Sequence, residues 1–150
     1  MFRAIEGCKF VVHTASPFPL TSPKHEDDLI KPAVNGTLAA MKAAHQNKCE
    51  RIVITSSVAS IMGSKDNAKV NWSVDDWTDT TIADAYSKSK TLAEKAAWDF
   101  VAALPEEERF EVVTVNPGLV VGPNLNECSF SSGDLIRDIM VGKIPGLPVM

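Results

Sequence analysis

Arg51-Ile52-Val53-Ile54-Thr55-Ser56-Ser57 is the stretch that decides the fold. Apolar β-branched residues fill successive positions 52, 53 and 54, a pattern that fits a buried strand covered on both faces. Such strands belong to parallel sheets, whose neighbours are joined by helical crossovers. The flanking sequence supplies them. On the amino side, Leu29, Ile30, Val34, Leu38, Met41 and Ala44 recur at three- and four-residue steps and predict a helix over residues 26–46. Pro32 should kink that helix or mark its first turn. Before it lies a second apolar run, Lys9-Phe10-Val11-Val12-His13-Thr14-Ala15. On the carboxyl side, a loop rich in Asp, Asn and Trp leads into a helix predicted over residues 83–103. Its stripe is Leu92, Ala93, Ala96, Ala97 and Phe100, and Pro105 stops it. Phe110-Glu111-Val112-Val113-Thr114-Val115-Asn116 is a third strand, and an amphipathic stretch over residues 133–141 precedes a Gly/Pro-rich tail.

Strand, helix, strand, helix, strand is the order of an α/β fold with a parallel sheet and flanking helices. Residues 1–7 read as the tail of a helix that runs straight into the first strand. The sheet is therefore expected to be incomplete as written, with residues 1–150 forming one part of a single domain.

The 150 residues carry a net charge of −4, with 45% hydrophobic and 23% charged residues, which excludes disordered and fibrous classes. An acidic excess offers no net attraction to phosphate backbones or anionic lipid, so no nucleic-acid or membrane partner is expected. No apolar run approaches the ~20 residues of a membrane-spanning helix. Cys8, Cys49 and Cys128 are far apart and form no CxxC pair, which argues against a disulfide framework or a zinc knuckle and fits a reducing, cytoplasmic setting. His13, His25 and His45 lack ligand spacing, and no metal is expected. His13 reads as a hydrogen-bonded packing residue, Trp98 as helix core, Trp72 and Trp77 as pins of the Asp-rich loop, and Glu106-Glu107-Glu108 as a solvated turn.

Ligands of open parallel sheets bind beyond the carboxyl ends of the strands. In this chain those ends carry His13-Thr14-Ala15-Ser16-Pro17, Thr55-Ser56-Ser57 and Asn116-Pro117-Gly118. Tyr86 and Lys90 stand four residues apart at the start of the second long helix, so the ammonium lies one turn from the phenol. A neighbouring cation favours phenolate and so makes a tyrosine usable as a proton donor and acceptor. Ser57, with its hydroxyl at the preceding strand end, could bind the same substrate oxygen. Neither Ser56 nor Ser57 sits in a GxSxG elbow, which argues against a hydrolase.

Thr55-Ser56-Ser57, the Tyr86–Lys90 spacing followed by Thr91-Leu92-Ala93-Glu94-Lys95-Ala96-Ala97-Trp98, and Asn116-Pro117-Gly118-Leu119-Val120-Val121-Gly122-Pro123 together resemble the extended short-chain dehydrogenase/reductase superfamily. The chain is most similar to its dihydroflavonol reductase, anthocyanidin reductase and cinnamoyl-CoA reductase branch. The resemblance implies a Rossmann-type domain that binds NADP, with NAD possible, and reduces a small ketone or aldehyde or oxidises the alcohol. It further implies that Ser57 orients the carbonyl, that Tyr86 is the acid/base, and that Lys90 binds the nicotinamide ribose and lowers the phenol's pKa. His13, Thr14, Ala15 and Ser16 would line the cofactor, Pro117 and Gly118 would pass beside the nicotinamide amide, and Asn35 matches a helix position that is often polar in extended members.

Several features depart from that pattern. The Gly-rich turn that seats a pyrophosphate in the N-terminal βαβ unit has no counterpart here, because Gly7, Gly36 and Gly63 are isolated. The first strand is likewise expected to keep an open edge and uncovered faces, so the isolated chain is expected to be aggregation-prone and catalytically silent. Asp84-Ala85-Tyr86-Ser87-Lys88 replaces the cinnamoyl-CoA branch's Asn-Trp-Tyr-Cys-Tyr, and Met62 aligns with an Asn that dihydroflavonol reductases use for their substrate. Two alternatives stand beside the reductase reading: a sugar-nucleotide epimerase or dehydratase of the same superfamily, and a non-catalytic truncated fragment. Neither the natural substrate nor the oligomeric state is specified at this level.

Overall fold

A computed structural model describes residues 2–18, 23–63, 69–123 and 131–144, so Met1, Cys128 and the end of the Gly/Pro-rich tail lie outside the described residues. The chain divides into two compact units, Met1–Pro117 and Gly118–Met150. The first contains β1 (Phe10–His13), α1 (Asp27–Gln46), β2 (Arg51–Thr55), α2 (Ala85–Ala102) and β3 (Glu111–Val115). The second contains the amphipathic α3 (Ser131–Met140). Short 3-10 turns occupy Phe2–Ala4, Val58–Ser60 and Glu106–Glu108. The residues ahead of β1 thus close as a single 3-10 turn, and Gly7 takes the left-handed φ of +75° that lets the chain bend into the strand.

The three strands lie in the order β1-β2-β3, all parallel, with Val11 opposite Ile52 and Ile54 opposite Thr114. This three-stranded Rossmann-type sheet brings its carboxyl ends, His13, Thr55 and Val115, to one edge. α1 starts before Pro32 and runs through it; the amides of Leu29 and Ile30 both bond the Glu26 carbonyl to begin the helix. Pro32 therefore does not mark the first turn but lies inside the helix, the other of the two placements expected for it.

Side chains alternate across a strand, and Ile52 and Ile54 point to the face that α1 and α2 cover. They meet Ala40, Met41, Ala44 and Ala97, with Val11, Phe100 and Val112 closing the cluster. Alanines dominate where the helices meet, which permits close backbone approach. The other face of β1 is uncovered, as expected for the first strand of the isolated chain. Phe10 and Val12, on the opposite side of β1, are 55% and 68% exposed.

The loop between β2 and α2 returns to the Val58–Ser60 turn at Thr78, which is buried. Its amide bonds the Ser60 carbonyl at 2.9 Å, and its hydroxyl donates to the Ala59 carbonyl and accepts the Gly63 amide, both at 2.8 Å. A Cβ on Gly63 would overlap the Thr78 side chain, so this glycine is required by close approach. Trp72, Trp77 and Trp98 surround a cleft floored by Val112, Val113 and Thr114 of β3, with the Lys69 and Lys95 ammonium groups over the rings of Trp72 and Trp77.

Candidate active site

Ser57 leaves β2 in extended backbone (φ −163°, ψ 153°) and caps the turn Val58–Ser60. Its Oγ accepts the Ala59 amide at 3.1 Å, which leaves the hydroxyl proton available to an outside oxygen. Its carbonyl is held by the Ser60 amide (3.0 Å) and Asn116 Nδ2 (3.1 Å). The Pro117 carbonyl accepts the Val58 amide at 3.1 Å, so the residues after β3 are tied to the same turn.

Tyr86 enters on the first turn of α2, which Asp84 caps. One carboxylate oxygen of Asp84 accepts the Tyr86 and Ser87 amides at 2.8 and 3.0 Å, and the other accepts the Ser87 hydroxyl at 2.8 Å. Burial alone would push the Asp84 carboxyl up, but the Ser87 and Tyr86 hydrogen bonds outweigh it and hold it below its ordinary value. Lys88 on the same turn reaches Glu26, ahead of α1, at 2.5 Å. The capped end of α2 is thereby joined to the start of α1.

Lys90 is buried, with Nζ 5.8 Å from the centroid of the Tyr86 ring. Burial lowers its pKa. Burial also lowers the pKa of His13, and the Lys90 cation adds to the effect. A second aromatic, Phe18, meets the Tyr86 ring edge-on with centroids 5.1 Å apart. His13, Ala15, Ser16, Thr55, Ser56 and Lys90 line one narrow cleft at the carboxyl ends of β1 and β2, joined there by Thr37 and Glu94.

The structure thus gathers His13, Ala15, Ser16 and Lys90 around one cleft, sets Ser57 next to a lining residue, and packs Tyr86 by Lys90. Thr14 is exposed, and Gly118 opens the second unit. Asn35 is also exposed, and Thr37, two residues on, is the α1 residue that turns inward. Sequence reading also missed Asp84 as a cap and Glu94 as a buried group. Asp two residues ahead of Tyr86 is a common cap signal. Glu94 follows Lys90 by one turn on a buried face, a signal visible only if the polar residues of α2 are plotted with the apolar ones. A different cleft, lined by His45, Cys49, Glu107 and Arg109, sits at the amino ends of the strands, away from every one of these groups. Among the described residues no group of three or more His, Cys, Asp or Glu could hold a metal, and no helix is long and apolar enough to cross a membrane.

A parallel α/β sheet with polar side chains gathered beyond its carboxyl edge defines the Rossmann-type class. More narrowly, the chain belongs to the 3-beta hydroxysteroid dehydrogenase/isomerase family, whose model matches residues 1–136. It is 37% identical over 147 residues to an anthocyanidin reductase ((2S)-flavan-3-ol-forming) of Vitis vinifera, an alignment covering 92% of this chain and 42% of the relative. It is 39% identical over 127 residues to dihydroflavonol 4-reductase of Arabidopsis thaliana, covering 80% of this chain and 32% of the relative. Among solved structures it is similar to yeast methylglyoxal/isovaleraldehyde reductase Gre2 complexed with NADPH, at 35% identity and a TM-score of 0.71, covering 83% of this chain and 40% of that one. The chain spans less than half the length of each of these proteins.

Proposed function

We propose that residues 1–150 form the central and C-terminal part of an NAD(P)-binding Rossmann domain in an oxidoreductase that reduces a small ketone or aldehyde with NADPH, or runs the reverse oxidation. The observation that carries this reading is the buried Lys90 beside the Tyr86 ring at the carboxyl edge of the sheet. An ammonium whose pKa is lowered by burial gains from added acceptor oxygens, and a ribose diol supplies two such oxygens, so the residues present fit the nicotinamide-ribose end of a dinucleotide. The NADPH bound by the similar yeast reductase supports NADP as the cofactor, with NAD as the second choice.

When bound, the reduced nicotinamide supplies hydride to the carbonyl carbon. Tyr86 donates a proton from its phenol oxygen to the developing alkoxide, and the Ser57 hydroxyl, whose acceptor side is already taken by the Ala59 amide, donates a hydrogen bond to the same oxygen. Lys90 stabilises the phenolate that remains and binds the ribose. Neutral His13, with the backbone of Thr14, Ala15 and Ser16, would line the cofactor without adding a second cation beside Lys90. Pro117 would lie beside the nicotinamide amide.

The test is NADPH oxidation by the native gene product with a panel of aldehydes and ketones, beside a Tyr86→Phe variant. Turnover should fall by ~10² to 10⁴ in the variant while NADPH affinity holds, because the ring still fills its place. A variant that keeps more than about a tenth of the activity would remove Tyr86 from this role.

A further inference from the structure

Glu94 is buried on α2 one turn beyond Lys90 and two turns beyond Tyr86, so the three lie at four-residue steps along one side of the helix. Its Oε2 is a meeting point for donors from separate parts of the chain. It accepts the Ser56 hydroxyl at the end of β2, the Ser60 hydroxyl at 2.7 Å and Asn116 Nδ2, just past β3, at 2.9 Å. Two of these partners also reach the Ser57 carbonyl, Ser60 Oγ at 2.7 Å and Asn116 Nδ2 at 3.1 Å. The single Ser60 proton serves one acceptor at a time, whereas the two N–H bonds of Asn116 can serve both. Asn116 is therefore the durable bridge between the carboxylate and Ser57.

We propose that Glu94 is a positioning residue: through Asn116 and Ser60 it fixes the Ser57 turn against the helix that carries Tyr86 and Lys90, and so sets the spacing of the three groups. This rests on the reductase reading for its consequence in turnover, but the positioning itself does not depend on that reading. Three donors converge on Oε2, while Oε1 meets the Trp98 indole N–H at 3.5 Å. The network therefore requires an acceptor oxygen in the Oε2 place: Glu94→Gln can supply it by turning its amide nitrogen toward Trp98, whereas Glu94→Leu cannot. Without that acceptor, Asn116 loses the partner that holds it against the Ser57 carbonyl.

Hydrogen exchange of the native gene product reads this directly. In Glu94→Leu the amides of residues 58–60 should exchange about tenfold faster or more, the scale of a lost charge-assisted hydrogen bond, while those of β2 keep their protection. Glu94→Gln, whose amide oxygen can take the Oε2 place, should hold residues 58–60 within about threefold of the parent. Asn116→Ala leaves Glu94 with its serine partners and removes the bridge, so it should reproduce the fast exchange at 58–60. Glu94→Leu should also lower kcat at least about tenfold with KM within about threefold of the parent, and Glu94→Gln should recover most of that loss, since only the geometry of proton delivery changes. Unchanged protection at 58–60 in Glu94→Leu or Asn116→Ala, protection lost evenly through β2, or a Glu94→Gln as fast in exchange as Glu94→Leu would overturn the proposal. If the native product turns over no carbonyl substrate, the reductase reading fails and the exchange arm still decides the role of Glu94.

Discussion

The two halves of α2 bury opposite kinds of chemistry. Toward its carboxyl end, Ala97 packs into the cluster of Ala40, Met41, Ala44, Ile52 and Ile54, with Phe100 and Val101 alongside. Toward its amino end, the buried residues are Ser89, Lys90, Thr91 and Glu94, with Ala93 among them. Burying apolar surface stabilises a fold at about 25 cal/mol per Å² without directional demands, whereas each buried polar group must find a partner or cost free energy. The apolar half therefore anchors the helix, and the polar half is held in detail by the Asp84 cap, the Lys88–Glu26 ion pair and the Glu94 network. What holds α2 in place is thus distinct from what equips it for chemistry.

The largest break in that division is Met41→Ala, which empties a fully buried site on α1 in the cluster that the apolar half of α2 packs into. It should destabilise the chain by about 2–5 kcal/mol in urea unfolding and leave NADPH affinity of the folded native product unchanged. A weakened affinity at full folding would mean that the two halves are not separable. A smaller effect is expected at the start of the polar half, where Asp84→Ala removes the cap and should cost about 1 kcal/mol at neutral pH. The Asp84 carboxyl is held below its unfolded value, so its contribution is present above that value and lost as pH falls through the folded one. The penalty of Asp84→Ala should accordingly shrink in strong acid; an equal penalty at neutral pH and in strong acid would show that the carboxylate's charge is irrelevant to the cap.

The smallest effect concerns His13. Its folded pKa lies below the ordinary 6.5, so between the two values the unfolded chain binds a proton that the fold refuses. Stability is fully present above about 6.5 and declines as pH falls below it. His13→Gln should flatten the change in thermal midpoint between about pH 7 and pH 5, and an unaltered slope would place the acid sensitivity elsewhere.

The sequence by itself determined the parallel α/β class, both long helices to within a few residues, and the pairing of Tyr86 with Lys90. Each follows from local rules: β-branched runs, three- and four-residue apolar steps, and the fixed rise of a helix turn. What only the tertiary structure decided was which polar residues are buried. Glu94 reads as an ordinary helix position until Asn116, 22 residues beyond it, is brought against it, and Thr37 until the ends of β1 and β2 close a cleft over it. The exposed face of β1 is anticipated from the strand order and not from its own residues, since Phe10 and Val12 are as apolar as the shielded Ile52 and Ile54. Periodicity reports a residue's neighbours along the chain. Burial, hydrogen-bond satisfaction and the pKa of Lys90 depend on neighbours that arrive from other elements, and the fold alone supplies those.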